Sequence, residues 1–197
     1  MTKIRIKSSH LLLLGILALF LSFCSSTSNN VKFAGDSLEK AKNNQGPEFA
    51  QSDYSQAETD YKNAESYMKQ EKSDDAQKMA DSSLKKSRTS IITGKDKRAK
   101  QAIDNSDAII KQLTQVSLDQ GKDISTETQN KLEIMKQIKP AQTLLDEAKK
   151  HYQNATKIAE DYKKNLQVYE AVKEENSYIE EMDKAYEKAK KAEAMLQ

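Results

Sequence analysis

The chain has 197 residues, of which 31% are charged and 37% hydrophobic, and it carries 32 bases and 30 acids. Three of the bases, Lys3, Arg5 and Lys7, precede an apolar segment, so the chain without residues 1–23 has 29 bases and 30 acids and a net charge near −1. Because a protein that binds nucleic acid needs a net basic surface to displace counterions, this balance argues against nucleic acid as a partner.

The first element is the apolar segment Leu11–Phe23, which follows the basic sequence MTKIRIKSSH. It is shorter than the ~20 residues of a membrane-spanning helix and is typical of the hydrophobic region of a signal peptide. The sequence LSFC at its end contains the only cysteine, Cys24. LSFC resembles a bacterial lipobox, with Phe23 where a small residue is usual, as in the relaxed lipoboxes of spirochaetes. The resemblance implies cleavage before Cys24 and lipidation of its sulfur; an uncleaved signal anchor or an ordinary signal peptide is the alternative.

Acyl chains on Cys24 would hold the mature chain on a membrane, because each buried methylene contributes about 0.8 kcal/mol and more than one chain gives stable attachment. Residues 25–30 are Ser, Thr and Asn only, so we predict a flexible tether over residues 24–30. Two serines and no aspartate follow the cysteine, which in enterobacteria implies the outer membrane. We therefore favour the outer membrane, with the periplasmic or surface face left open.

Beyond residue 30, few Gly or Pro residues and abundant Ala, Lys, Glu and Gln predict helices and no sheet. We expect a first helix over 31–42, ended by NNQGP, and a second over 52–70. The second has a seam at spacings of 3 and 4 formed by Tyr54, Ala57, Tyr61, Ala64 and Met68. A third helix is predicted over 74–118, with Ser73 as its N-cap and no break at Gly94.

The C-terminal part begins with a predicted loop, LDQGKDIS, and a capping-box spacing at Thr126 and Gln129. Pro140 either begins a helix or kinks a continuous one. From Ala141 to Ala189 a seam of mainly apolar and aromatic residues recurs in steps of 3 or 4, with Asn176 as a polar position; it includes Tyr152, Tyr162, Ile179 and Tyr186. This heptad-like seam predicts one helix of ~56 residues, about 84 Å long.

These elements predict an all-α fold, an elongated antiparallel helical bundle with coiled-coil-like hairpins. Residues 1–23 would be a lipoprotein signal peptide and 24–30 the lipidated cysteine with its tether. Residues 31–120 would form an N-terminal helical hairpin region, and 121–197 a long-helix region that packs on it. Whether the seams close within one chain or between chains is open, and so is the oligomeric state.

A second resemblance covers residues 33–91, in which GPEFAQSDYSQAETDYKNAESYM occupies the central part. This segment is similar to a small helical domain of unknown function that occurs in bacterial envelope lipoproteins, in some of them ahead of an OmpA-like domain. The resemblance implies a short helix, a Gly-containing turn and an Ala-rich helical hairpin, and it carries no catalytic residue over. A tetratricopeptide-like hairpin over 52–90 is an alternative that lacks the signature Trp and Leu-Gly positions.

No residue pattern in the chain indicates catalysis. The one histidine after Cys24, His151, lies in HYQNA, which lacks the second His and the Glu of a metalloprotease helix. The acidic run EENSYIEEMD at 174–183 is interpreted as a solvated face, and the tyrosines as core residues, with an aromatic ligand groove as the alternative. We therefore expect no enzyme, no catalytic residue, no metal and no cofactor.

The sequence thus predicts a lipid-anchored envelope protein that acts as a non-catalytic helical structural or interaction scaffold. Its partners would be the membrane, through Cys24, and other proteins, through the helical seams. The alternative is a surface-exposed lipoprotein that binds host or extracellular macromolecules, because both proteins would have the same lipid anchor and a charged helical body.

Overall fold

The computed structural model describes the backbone of residues 8–119 and 127–197, and the side chains of residues 26–116 and 133–197. These ranges contain α-helices and no strand, which confirms the predicted all-α bundle. The helices are α1 (Ser8–Asn43), α2 (Gly46–Phe49), α3 (Gln51–Lys69), α4 (Ser73–Asp119), α5 (Glu127–Lys164) and α6 (Val172–Ala194).

Helix α4 is shared by the two halves of the protein. It has 47 residues and continues through Gly94, as predicted, so it extends over about 70 Å at 1.5 Å per residue. Its first half packs against α1 and α3, and its second half against α5 and α6. We call these groups the N-terminal bundle and the C-terminal bundle. The division proposed at residue 120 assigns α4 to the N-terminal region, yet α4 belongs to both bundles.

The N-terminal bundle is held together by small side chains. Its core combines alanines of all three helices with a few larger residues: Val31, Ala34, Ala64, Ala76, Ala80 and Leu84. Ser83 Oγ on α4 donates a 2.8 Å hydrogen bond to the carbonyl of Ala57 on α3. Since Ala and Ser have short side chains, the helices approach closely along this seam, as the spacing of the α3 residues predicted.

The short helix α2 was not predicted. Pro47 lies in its first turn, where the missing N–H is not needed. Gly46 begins the helix and lies directly against α4. A Cβ atom at this position would clash with Ser90 Oγ and would lie 2.8 Å from the carbonyl oxygen of Ala41. A glycine at this position therefore lets the chain cross closely over α4.

The C-terminal bundle follows the predicted heptad-like seam over much of its length. Alanines of α4, α5 and α6 alternate with large residues, and Tyr162 and Tyr178 are fully buried. Helix α5 continues through Pro140, so this proline lies inside a helix and does not begin one. The predicted loop at 118–125 and the capping box at Thr126 and Gln129 lie largely outside the described residues, although α4 extends to Asp119.

The predicted flexible tether is wrong for residues 26–30, which form part of α1. Thr27 is 2% exposed, and Asn30 Nδ2 donates a 2.9 Å hydrogen bond to Gln77 Oε1 on α4. The polar composition suggested a flexible segment, but Thr27 is buried and Asn30 hydrogen-bonds to the N-terminal part of α4. Helix α1 consequently begins well before the predicted residue 31.

The predicted single helix of the C-terminal part is also wrong. Helix α5 ends at Lys164 and α6 begins at Val172, and the seven residues 165–171 reverse the chain. One uninterrupted helix would leave its seam unburied within the chain, whereas the reversal buries α5 and α6 against each other and against α4. Tyr169, a seam position in the predicted helix, instead lies in the reversal and packs edge-on against Phe33, with ring centroids 5.3 Å apart.

Candidate functional site

A buried ion pair lies where the two bundles meet. Arg88 of α4 is fully buried, and its Nε donates a 2.8 Å hydrogen bond to Oε2 of Glu175 in the first turn of α6. The Glu175 side chain is 4% exposed. Buried charges are expensive unless they are paired and hydrogen-bonded, so this pair depends on its further contacts. We call Arg88, Glu175 and the groups that contact them the junction cluster.

The guanidinium of Arg88 also binds the chain reversal after α5. Its Nη1 donates hydrogen bonds to the carbonyl oxygens of Leu166, at 3.0 Å, and Val168, at 2.7 Å. Both carbonyls lie in the reversal just beyond the end of α5, and that of Val168 also accepts a 3.1 Å hydrogen bond from the N–H of Ala171. The guanidinium carbon lies 5.7 Å from the ring centroid of Phe33 on α1 and 5.8 Å from that of Tyr162 on α5. Arg88 therefore contacts α1, α5, α6 and the reversal from its position on α4.

The carboxylate of Glu175 gathers three donors. Besides Arg88, its Oε2 accepts a 2.8 Å hydrogen bond from the Tyr162 hydroxyl, and its Oε1 lies 2.6 Å from Lys40 Nζ. Lys40 lies near the C-terminus of α1 and Glu175 at the N-terminus of α6, so each charge also suits the dipole of its helix. Burial and the neighbouring Glu175 charge raise the pKa of Tyr162, so its hydroxyl stays protonated and donates.

The junction cluster corrects the interpretation of EENSYIEEMD at 174–183 as a solvated face. Within it Glu175, Tyr178 and Met182 are buried. The predicted seam runs through Asn176 and Ile179, one position away from the buried Glu175 and Tyr178. The spacing of 175, 178 and 182, continued by Ala185 and Ala189, would have identified the buried face had Glu175 been considered an interior residue.

His151 has a structural contact rather than the geometry of a metal site. Its Nδ1 lies 3.0 Å from Glu181 Oε2, which also accepts a 3.2 Å hydrogen bond from Asn154 Nδ2. The hydrogen bond with His151 is the largest cause of the lowered pKa of Glu181. The contact joins α5 to α6. Among the residues that the structure describes, no cluster of three or more His, Cys, Asp or Glu side chains is suited to hold a metal ion.

Tyr162 and Tyr178 of the C-terminal bundle are core residues, whereas Tyr152 and Tyr186 are half-buried. A groove of about 480 Å³ lies between α4 and α5, with Tyr178, Ile92 and Met182 in its floor. Tyr178 is nevertheless fully buried, and its hydroxyl donates a 2.8 Å hydrogen bond to the carbonyl oxygen of Ile92. Its ring is therefore packed inside the bundle and offers no face to a ligand, as the core interpretation predicted.

The predicted lipidation residue, Cys24, lies outside the residues whose side chains the structure describes. Within the described part of the chain, no helix is both long enough and apolar enough to cross a membrane. No protein-family model matches this chain, and no curated protein or solved structure is significantly similar to it. The two resemblances drawn from the sequence therefore stay predictions.

The junction cluster links helices of the two bundles through hydrogen bonds and ion pairs. Each of its polar groups is engaged by a partner from another helix, apart from Arg88 Nη2, which forms no hydrogen bond with the described residues. The cluster joins the C-terminal end of α1, the reversal after α5 and the N-terminal end of α6 to the middle of α4. Sequence reasoning missed Arg88, because a single charged residue on a helix was interpreted as part of a solvated exterior.

Proposed function

We propose that this protein is a lipid-anchored component of a bacterial cell envelope and acts there as a rigid, non-catalytic helical scaffold. The observation that carries the proposal is the sharing of α4 between both bundles. One stiff helix of about 70 Å then determines the distance between the two ends of the protein.

The orientation of α1 indicates which end would face the membrane. Asn30 of α1 contacts Gln77 near the start of α4, and the carbonyl oxygen of Asn44 lies close to Gly94, so the two helices run parallel. Cys24 precedes the packed Thr27 by three positions. A lipid on Cys24 would therefore attach beside the N-terminal end of α4, with the C-terminal end of α4 at the opposite end of the protein.

The junction cluster supports the rigidity that a scaffold needs. Bending between the two bundles would pull α6 away from α4 and separate Arg88 from Glu175. Leaving one charge of a buried pair without its partner is unfavourable by about 3–5 kcal/mol. The bent arrangement would therefore be rarely populated at room temperature.

Lipidation is tested by labelling. Cys24→Ala should abolish incorporation of radiolabelled palmitate and should move the protein from the detergent phase to the aqueous phase. Ser28→Ala, which changes an exposed residue of the same segment, should leave both properties unchanged. Labelling that persists in Cys24→Ala would refute the proposed anchor. Protease treatment of intact cells then distinguishes the periplasmic face, where the protein is protected, from the surface face.

Rigidity is tested by measuring a distance. Spin labels at Asn29→Cys and Thr114→Cys, both exposed, would be placed on α1 and near the far end of α4 in a Cys24→Ala background. Because position 29 lies level with about residue 76 of α4, the labels should be about 57 Å apart at 1.5 Å per residue. A narrow distance distribution that broadens in Arg88→Met supports the scaffold, and a broad distribution in the parent chain contradicts it.

A further inference from the structure

A polar cavity of about 210 Å³ lies between α2, α4 and α6, away from the junction cluster. Amide, charged and aromatic side chains from these three elements share its wall: Gln45, Glu48, Arg98, Gln101, Asn105 and Tyr186. The proposed scaffold function gives none of them a role. Two of them, Gln45 and Arg98, are in unusual states.

Gln45 has a strained backbone and an unsatisfied side chain. Its φ of 62° and ψ of 27° place it in the left-handed region, which is uncommon for a residue other than glycine. Among the described residues Glu71, with φ 60°, is the only other such case. The Oε1 atom of Gln45 is buried and accepts no hydrogen bond. Backbone strain and an unpaired buried acceptor commonly coincide where a protein binds a ligand.

Arg98 is held in place without using its hydrogen-bond donors. Its guanidinium carbon lies 3.6 Å from the centroid of the Tyr186 ring. The nearest carboxylate oxygen, Oδ1 of Asp183, is 4.0 Å from Nη1, beyond hydrogen-bond distance. Within the described residues the guanidinium of Arg98 donates no hydrogen bond. A stacked guanidinium with free N–H groups is arranged for a planar anion, above all a carboxylate, which it can bind through two parallel hydrogen bonds.

We propose that this cavity binds a small zwitterion, an amino acid or a dipeptide. The ligand carboxylate would bind Arg98, and its ammonium group would lie near the carboxylate of Glu48. Rotation of the Gln45 amide would bring Oε1, which is buried in this structure, to an N–H group of the ligand. The size agrees, because ~210 Å³ is below the roughly 300–1,000 Å³ of sites for drug-sized ligands. Lys190 also lines the cavity but is paired with Glu193, 2.5 Å away, so the remaining charges of Arg98 and Glu48 balance and suit a zwitterion better than phosphate.

Binding is tested with glycylglycine as the probe, added to the full chain in mild detergent and followed by isothermal titration and by amide chemical shifts. We expect a dissociation constant on the order of 1 mM, as suits so few ligand atoms. Glycylglycinamide lacks the carboxylate and should bind at least tenfold more weakly. No detectable binding of glycylglycine, equal binding of its amide, or equal binding of inorganic phosphate would each refute the proposal.

Two variants separate binding from folding. Gln45→Gly should raise the unfolding temperature, because glycine adopts positive φ without strain, and should weaken glycylglycine binding at least fivefold. Glu71→Gly relieves the same strain in the turn before α4 and should raise the unfolding temperature with unchanged binding. Arg98→Lys keeps the charge but loses the paired donors and should weaken binding about tenfold. Unchanged binding in both cavity variants would contradict the site.

Discussion

Replacing Arg88 by methionine tests the central role of the junction cluster. Methionine has a similar length and fills the buried space, so the variant removes charge and hydrogen bonds with little change in packing. Three hydrogen bonds are lost: the one to Glu175 and the two to the carbonyl oxygens of Leu166 and Val168. The fold of the individual helices should remain, because no core alanine is altered.

The expected loss of unfolding free energy follows from these contacts. Removing one partner of a buried ion pair costs about 3–5 kcal/mol. Here Lys40, at 2.6 Å, and the Tyr162 hydroxyl, at 2.8 Å, still stabilise the Glu175 carboxylate, which moves the charge contribution toward the lower limit. Each of the two carbonyl hydrogen bonds adds about 1 kcal/mol. We therefore expect a destabilisation of about 5 kcal/mol, a large share of the 5–15 kcal/mol typical of a whole protein.

The measurement is a double-mutant cycle in urea with Arg88→Met, Glu175→Gln and the double variant. The destabilisation of the double variant should be about 2 kcal/mol smaller than the sum of the two single variants, because no unpaired charge remains buried. Lys100→Met, which breaks an exposed α4 pair with Asp104 at 3.8 Å, should change stability by less than about 0.5 kcal/mol. A loss below about 1 kcal/mol in Arg88→Met, or additive single variants, would refute the reasoning.

Three further predictions concern pH and packing. The hydrogen bond with His151 lowers the pKa of Glu181 in the folded state, so the stability contributed by the ionised carboxylate is present above the usual pKa of 4.5 and disappears as the pH falls through the lowered value. In urea titrations between about pH 5 and 3, Glu181→Gln should therefore lose less stability than the parent chain. Burial raises the pKa of Tyr152 to about 12. The stability that its protonated hydroxyl contributes should be complete below pH 10 and should fall as the phenol ionises towards pH 12. A step in phenolate absorbance that is present in the parent chain and absent in Tyr152→Phe would assign this ionisation to Tyr152. Gly46→Ala should destabilise the protein by about 1–3 kcal/mol, because the new Cβ would clash with α4. Gly94→Ala, whose Cβ would meet no atom closer than 3.4 Å, should stabilise it by about 0.5–1 kcal/mol. Thermal unfolding of both variants measures the two opposite shifts.

The helices bounded by local signals were predictable. The expected ranges 52–70 and 74–118 agree with α3 and α4 to within one residue at each end, because the break before Ser73 and the long Gly- and Pro-poor stretches determine them locally. The seam spacing also predicted the buried alanines of α3. These features depend on residues a few positions apart, which a single sequence displays directly.

The reversal at 165–171 was not predictable in the same way. Its sequence, NLQVYEA, contains neither Gly nor Pro, so helix propensity gives no reason for α5 to end. What stabilises the reversal is Arg88, some 80 positions earlier, which donates to the carbonyl oxygens of Leu166 and Val168. A donor so distant in sequence leaves no periodic signal near the break.

The same long-range arrangement explains why the second buried face of α4 was missed. The sequence seam through Ala76, Ala80 and Ser83 is the face toward α1 and α3. The α4 residues that contact α5, α6 or the reversal include Arg88, Ile92, Ala99 and Ile103. A helix in the middle of two bundles must bury two stripes, and the second can include charge where helix ends converge. There an apolar side chain could donate neither to the carbonyls beyond α5 nor to a carboxylate, while a guanidinium, with five N–H groups, can donate to both at once. The presence of Arg88 on the second buried stripe of α4 is thus a consequence of three helices ending or beginning against one continuous helix.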